Sequence, residues 1–407
     1  MSSIHCIIFI IFITTTLSNY CQAPLPKVVS VPKGYNLIFV QTLTRHGDRS
    51  PMNSFDQDDA FYNCSGITLS SVRESDSIGK AGDTIRINVI DKNTNPYAKN
   101  FMWKGNCEAS QLTVKGIRQH HNLGIYQRKK YLDMGFLPVE YDPRKIYIRS
   151  TERSRTIQSS QAFSQTFYPP ETRLQEKIIP IYVVPKDIEI MFPNRDLCSE
   201  ISKREKDTYK IALVNQTRLS IQHFEEKAIK ILGFKSKHEW LEDYVDIMNC
   251  RICHNISLPC RNGECLTIED YNQLWYQTQL ENRYLFRTDG LAQLQIGLFL
   301  KELIDRAEMA LNGTSSYVYE HYTGHDSTLL PYLALIGQDV FTWPPYASHI
   351  DIEIYSFERE RYIRVVYNNE VVSLPICHQV DGFCKWEEYK DYLLKNGVVS
   401  LNECKPK

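Results

Sequence analysis

The run Thr44-Arg45-His46-Gly47-Asp48-Arg49-Ser50-Pro51 follows directly on the apolar stretch Leu37-Ile38-Phe39-Val40. β-Branched and aromatic residues favour a strand there, and Gly47 and Pro51 stop it, so a histidine lies between two arginines at a strand's end. In open α/β sheets, ligands bind beyond the carboxyl ends of the strands. Guanidinium forks match phosphate oxygens. A neutral imidazole can attack phosphorus and carry the phosphoryl group covalently. The chemistry this run suits is attack on a phosphate ester. A surface loop that is basic by chance is the competing reading, but RHGDRSP at the end of a strand is far more specific than an isolated Arg-His-Gly.

Two further segments carry a related pattern. One is Tyr147-Ile148-Arg149-Ser150-Thr151-Glu152-Arg153-Ser154-Arg155-Thr156, the other Tyr322-Thr323-Gly324-His325-Asp326-Ser327-Thr328. With these three segments the sequence resembles the histidine acid phosphatases, the secretory-pathway branch (branch 2) of the histidine phosphatase superfamily. Smaller matches at Leu112-Thr113 to Gly116 and at Cys250 to Cys265 extend the resemblance over most of the chain. The resemblance implies that Arg155, the Arg before Thr, binds phosphate, that His325 does the same, and that Asp326 is the general acid.

Hydrolysis of a phosphate monoester needs an in-line nucleophile, neutralised phosphoryl oxygens and a proton for the leaving alkoxide. His46 is the expected nucleophile, passing through a phosphohistidine, with its second ring nitrogen held as N–H by a backbone carbonyl. Arg45, Arg49 and Arg155 are expected to clamp the oxygens, with His325 as a fourth donor. Asp326 must be protonated to serve the leaving group, which an acidic compartment and a neighbouring anion would favour by raising its pKa. Arginines take the place of Mg²⁺, so no metal or cofactor is expected. Plainer roles compete. Arg155 could pair with an acid on its own helix, and Arg153 is a rival to it that position relative to Thr156 sets aside. Asp326 could be a helix N-cap, and His325 a satisfied buried histidine. The pair His120-His121 invites a metal reading, but neighbours on a helix point to different sides.

The N-terminus reads as a signal peptide over residues 1–23: Cys6 to Ile13 is apolar, three threonines follow, and Cys21-Gln22-Ala23 offers small residues for cleavage. The run falls short of the ~20 residues that a membrane span needs. Of twelve cysteines, ten lie beyond that leader, an even number that suggests disulfides in an oxidising compartment. Sequons at Asn63, Asn215, Asn255 and Asn312 fit the same route. Cys250, Cys253, Cys260 and Cys265 have the look of a zinc knuckle, yet the compartment favours disulfides among these four. Proximity pairs Cys377 with Cys384, the family resemblance pairs Cys198 with Cys404, and Cys64 is left for Cys107, with no free thiol. The segment CRICHNISLPCRNGEC also resembles the 2-phosphoxylose phosphatase subgroup, which acts on the proteoglycan linkage region.

The 407 residues are 43% hydrophobic and 23% charged, ordinary for a soluble globular protein, and the net charge of -1 makes no case for nucleic acid or a membrane surface. Helices are expected over Leu112 to Asp133, Thr151 to Phe167, Tyr209 to Leu232, Leu291 to Leu311 and Thr328 to Leu335. Strands are expected at Ile146-Tyr147-Ile148, Ile179 to Val184 and Tyr317 to Tyr322, with a hairpin from Ile350–Tyr355 and Tyr362–Tyr367. The three special segments thus sit at three strand-to-loop junctions that one sheet can bring together. The implied fold is α/β, a three-layer phosphoglycerate-mutase-like core with an inserted, mostly helical cap. The phosphatase domain spans 24–407, with core segments at about 34–54, 107–185 and 313–376, and cap and insertions at about 55–106 and 186–312. The function expected is an acid phosphatase acting on a small-molecule or sugar phosphate monoester, secreted or lysosomal, with the Golgi lumen as a third compartment. The alternative is a secreted signalling or binding protein on the same scaffold with weak or no catalysis. No nucleic-acid partner and no stable membrane span are expected, and a homodimer is left open.

Overall fold

Alternating apolar runs and Gly/Pro stops along the chain become one mixed sheet: β1 (Asn36–Arg45), β2 (Ile146–Thr151), β3 (Tyr182–Val184), β4 (Tyr319–Gly324), β5 (His349–Phe357), β6 (Glu360–Tyr367), β7 (Glu370–Val371) and β8 (Cys384–Lys385). The order is β7-β6-β5-β1-β4-β2-β3, with β8 also on β6. This computed structural model describes residues 20–407 apart from 25–29, 56–57, 66–69, 74–86, 91–103, 175–177, 236–239, 288–289, 401 and 405–407. Strands β1, β4, β2 and β3 run parallel, while β5 and β6 form the antiparallel hairpin expected at that place.

Both faces of the sheet are covered, as parallel strands require. On one face, α1 (Val114–Asp133) and α2 (Ser154–Phe167) bury Leu123, Tyr131, Phe163 and Phe167 against Val40, Ile148 and Tyr319. The cap follows as α3 (Glu200–Thr208), α4 (Ala212–Ser220), α5 (Gln222–Leu232), α6 (Glu242–Cys253) and α7 (Ile268–Arg287). The other face takes α8 (Leu291–Leu311), α9 (Asp326–Leu335) and α10 (Trp386–Asn396). The cap has its own core of Tyr244, Ile247, Met248, Tyr271 and Leu274.

Two sequence boundaries shift. The helix expected over Tyr209 to Leu232 is two helices, because Thr217 and Ser220 hydroxyls bond back to Leu213 and Thr217 carbonyls and the chain turns at Ile221. The cap does not extend to 312: Phe299, Leu300, Leu303 and Ile304 of α8 pack under the sheet with Ile352 and Ile354, so α8 belongs to the core.

The cysteines follow expectation in part. Cys64–Cys107, Cys198–Cys404, Cys377–Cys384 and Cys260–Cys265 are disulfides. Cys253, however, pairs with Cys21 across 232 residues, and Cys250 is a buried free thiol. The expected closed set of four cysteines and the absence of a free thiol are both corrected. Part of the expected leader is built into the fold: Tyr20 is buried, Ala23 N–H donates to Tyr346 O (2.9 Å) and Tyr346 N–H to Tyr20 O (3.1 Å). Residues 1–19 lie outside the described part. All four sequon asparagines are exposed.

Between α1 and the sheet lies a buried ion network. Lys130 Nζ sits 2.8 Å from Asp351 and 2.6 Å from Glu353, and Arg364 closes on Glu353 at 2.8 Å. Removing one partner of such a cluster strands the remaining charges in a low-dielectric interior. Lys130→Met is expected to cost about 3–5 kcal/mol of stability, read from urea unfolding; a loss below about 1 kcal/mol would show that the carboxylates are satisfied without it.

Candidate active site

Strand register assembles the site. Arg45 of β1 lies opposite Gly324 of β4, and Thr323 of β4 opposite Ser150 of β2. The loops after β1, β4 and β2 therefore leave the sheet side by side, bringing together His46, the His325-Asp326 pair and Arg155. The loop after β1 is pinned at every step. His46 N–H donates to Gly324 O (3.0 Å), Gly47 N–H to Ser159 Oγ (3.1 Å) and Asp48 N–H to Gln119 Oε1 (2.7 Å). Gly47 meets Gly116 so closely that a Cβ on Gly47 would stand 2.5 Å from Gly116 O, so the start of α1 presses directly on the motif. Thr113, the N-cap of α1, also donates to Asp48 Oδ1 (2.5 Å), which takes His254 Nε2 at 2.6 Å.

His46 is 2% exposed. Its Nδ1 lies 2.8 Å from Gly47 O, which only an N–H can satisfy, so the lone pair sits on Nε2. Burial, followed by the charges of Arg155, Arg45, Arg49 and His325, holds the ring's pKa well below the ordinary value. The imidazole is neutral and nucleophilic.

Three guanidiniums surround it. Arg45 is 1% exposed, lies under the Tyr346 ring at 4.4 Å, and reaches Tyr20 Oη (3.1 Å) and Asp326 Oδ2 (3.0 Å). Arg49 makes a two-pronged pair with Asp246 (2.8 and 3.1 Å). Arg155 has no carboxylate partner among the described residues; its NH2 group donates to His325 Nδ1 at 3.3 Å. The plainer role for Arg155, pairing along its own helix, is thereby set aside. Burial and Arg49 bring its pKa down to about 9, the mark of a cation lacking a counter-anion. The Nε–H groups of Arg45, Arg49 and Arg155 are all buried without a partner among the described residues, an uncommon state for donors in a folded protein.

His325 closes the ring. Its Nε2 lies 3.0 Å from Thr151 Oγ1, and burial and Arg155 hold it neutral. Asp326 opens α9 and accepts from Ser327 N–H (2.7 Å) and from Trp343 Nε1–H (3.1 Å). Burial pushes its carboxyl up, but Arg45, His325 and Trp343 outweigh that and hold it below the ordinary carboxylate range. In the free site Asp326 is therefore held in its charged form, and the protonation expected of it calls for the neighbouring anion that raises its pKa.

These groups open on a cavity of 520 Å³ lined by His46, Arg49, Arg155, His325 and Asp326, together with Arg153, Lys186 and Arg195. Arg45 is buried behind these residues and is not part of the lining. Sequence reading found His46, Arg45, Arg49, Arg155, His325 and Asp326. It missed Tyr20, Asp246, Glu242 and Trp343, whose contacts with the motif residues run from 17 residues apart (Trp343 with Asp326) to 197 (Asp246 with Arg49) and follow no local pattern. His120 is no metal ligand: its ring lies 3.1 Å from Arg45 O, and burial brings its pKa to about 3.

Residues 36–368 match the histidine phosphatase superfamily (branch 2), and the chain belongs to that family. It is 31% identical over 377 residues to counting factor 60 of Dictyostelium discoideum, covering 89% of this chain and 86% of that one. It is 26% identical to human prostatic acid phosphatase over 352 residues (83% and 79% of the two chains) and 24% identical to mouse 2-phosphoxylose phosphatase 1 over 422 residues (94% and 83%). Its fold is similar to that of a Hafnia alvei phytase solved with myo-inositol hexakis sulphate, with TM-score 0.62, 14% identity, and 93% and 100% of the chains covered.

Glu242, at the start of α6, also faces the cavity, and burial followed by Asp326 and Asp246 pushes its carboxyl up to about 8. Below that pH it is neutral; above it, a negative charge appears beside Asp326 and opposes any bound anion. Inorganic phosphate should therefore bind more weakly as pH rises from 7 to 9, and Glu242→Gln should flatten that trend, as measured by calorimetric titration. Parallel pH dependences in the two proteins would remove Glu242 from the anion's environment.

Proposed function

We propose that the protein hydrolyses phosphate monoesters through a phosphohistidine on His46. The observation that carries this is the neutral His46, with its Nε2 lone pair free, beside the cavity-lining Arg49 and Arg155, whose buried Nε–H groups have no partner among the described residues. Unmade donors around a nucleophile suit the transferring phosphoryl group better than they suit any ground-state alcohol.

Arg49 and Arg155 grip the phosphoryl oxygens, with Arg45 behind. As Arg155 turns to the ester, it releases His325 Nδ1. The incoming negative charge offsets the field of Arg45 and raises the Asp326 pKa, so the carboxyl takes up a proton at acid pH. His46 Nε2 then attacks phosphorus. The N–P bond forms, the ester P–O bond breaks, and the leaving oxygen takes the Asp326 proton. Water next attacks phosphorus, the N–P bond breaks, and the water's proton passes to Asp326. Trp343 and Ser327 hold Asp326 where both transfers need it. Disulfides and exposed sequons support passage through the secretory pathway, behind a leader that ends before Tyr20. A signalling or binding role without turnover is the second reading; an intact His46 and Asp326 weigh against it.

His46→Ala should lower turnover of 4-nitrophenyl phosphate by at least about a thousand-fold with unchanged thermal unfolding. Near-normal turnover would remove His46 as nucleophile.

Asp326→Asn separates donation from positioning. An alkyl phosphate, whose alkoxide needs the proton, should lose roughly 10²–10⁴-fold, and 4-nitrophenyl phosphate far less. Equal losses on both would make Asp326 a positioning residue only.

A further inference from the structure

Beside the phosphate cavity lies a second chamber of 210 Å³. The two share Pro193, Arg195, Glu242, Asp326 and Ser327. Asp326, the group that protonates the departing oxygen, thus stands at the doorway between them. Whatever alcohol is attached to the phosphate has this chamber as a neighbour.

The chamber's chemistry is mixed in a way that discriminates. Trp240, Leu285, Phe286 and Leu330 form apolar walls. Set into them are two amides, Gln295 from α8 and Asn282 from α7. Gln295 is 3% exposed, and both its Oε1 and its Nε2 are buried without a partner among the described residues; Asn282 Nδ2 is in the same state. Buried amides in native proteins are nearly always hydrogen-bonded, and an apolar guest would leave these three atoms unpaired. An anionic guest fits no better. Arg195, the one cation among the described lining residues, is chelated by Glu205 at 2.6 and 2.8 Å, while Glu242, Asp243 and Asp326 add carboxyl groups. The remaining class is neutral and rich in hydroxyls, able to donate to Gln295 Oε1 and accept from Gln295 and Asn282 N–H. Space is not limiting, since one water needs only ~10–15 Å³.

We propose that this chamber is the subsite for the alcohol part of the ester, and that it selects a hydroxyl-rich leaving group, a sugar or polyol, through Gln295 and Asn282. The proposal rests on the phosphatase reading above and adds the class of substrate. Its readout is a ratio: kcat/KM for glucose 1-phosphate, xylose 1-phosphate and glycerol 2-phosphate, each divided by kcat/KM for n-butyl phosphate, which has an alkoxide leaving group and no hydroxyl. In the unmodified protein at least one ratio should exceed ten. Gln295→Leu should lower that ratio about tenfold, the size of one or two lost hydrogen bonds, and Asn282→Leu should lower it several-fold. Asn282 is only partly buried, so its variant tests the chamber even if Gln295→Leu fails to fold. Ratios near one in the unmodified protein, or a high ratio that neither soluble variant lowers, would overturn the subsite. A 4-nitrophenyl phosphate control separates the two levels: turnover of it with flat ratios removes the subsite alone, and no turnover of any ester removes the phosphatase reading and the subsite together.

Discussion

The structure depends on an excess of buried positive charge around one neutral ring. Arg45, Arg49 and Arg155 converge on His46, and among the described residues only two carboxylates, Asp246 and Asp326, answer them at contact distance. Bringing ions out of water costs several kcal/mol each unless partners repay it. The fold supplies part of that repayment through the π faces of Tyr346 and Tyr20 over Arg45 and withholds the rest at Arg155. The same excess keeps His46 unprotonated and Asp326 ionised. A single electrostatic arrangement therefore prepares the nucleophile, leaves three donors unmade and holds the acid in reserve until an anion arrives. Neutralising any of these arginines would alter all three properties together.

Such an arrangement needs a rigid frame, and β1 provides it. It is the junction strand, parallel to β4 on one side and antiparallel to β5 on the other. Its polar inward residues are absorbed locally, Thr42 by Asp351 at 2.8 Å and Gln41 by Glu320 at 2.9 Å. That satisfaction permits a strand with polar residues at alternate positions to run through the centre of the molecule. The carboxyl end then emerges with its backbone already committed: Arg45 N–H to Ser348 O, His46 N–H to Gly324 O, and Arg45 O to His120. Buried histidines such as His120 act here as neutral hydrogen-bonding parts of the frame.

What the sequence made legible was local. RHGDRSP, the strand before it and the short runs at Arg155 and His325-Asp326 each carry their signal within ten or so residues, and the sheet's parallel order joins them. Helix α8 was readable from its leucine spacing, but not its allegiance, because a stripe of Leu298, Leu303 and Ala307 does not say whether it faces a cap or a sheet. Likewise, nothing near Cys253 distinguishes Cys21 from Cys250 as its partner; the choice is made by the three-dimensional position of the N-terminal segment. Asp326 shows a different limit. Its identity was readable, but the sign of its pKa shift depends on Arg45, 281 residues away, reaching it at 3.0 Å.

That N-terminal segment links core and cap at the site. Cys21 is tied to Cys253 at the end of α6, and the same helix carries Asp246, the anchor of Arg49, and Glu242 at the cavity wall. Tyr20 meets Arg45 on the core side, and its ring packs edge-on against Trp275, which stacks on Trp343, the residue that donates to Asp326. One short strap thus touches the supports of two arginines and of the general acid. Its disulfide ties α6 to the strap, which bonds through Tyr20 and Ala23 to Tyr346 just before β5, without relying on the cap's own small core. The geometry that sets Asp326 between the phosphate cavity and the neighbouring chamber is in this sense made by residues 20–23 as much as by the motifs themselves. The local patterns choose the chemistry, and the long-range ties set where its leaving group goes.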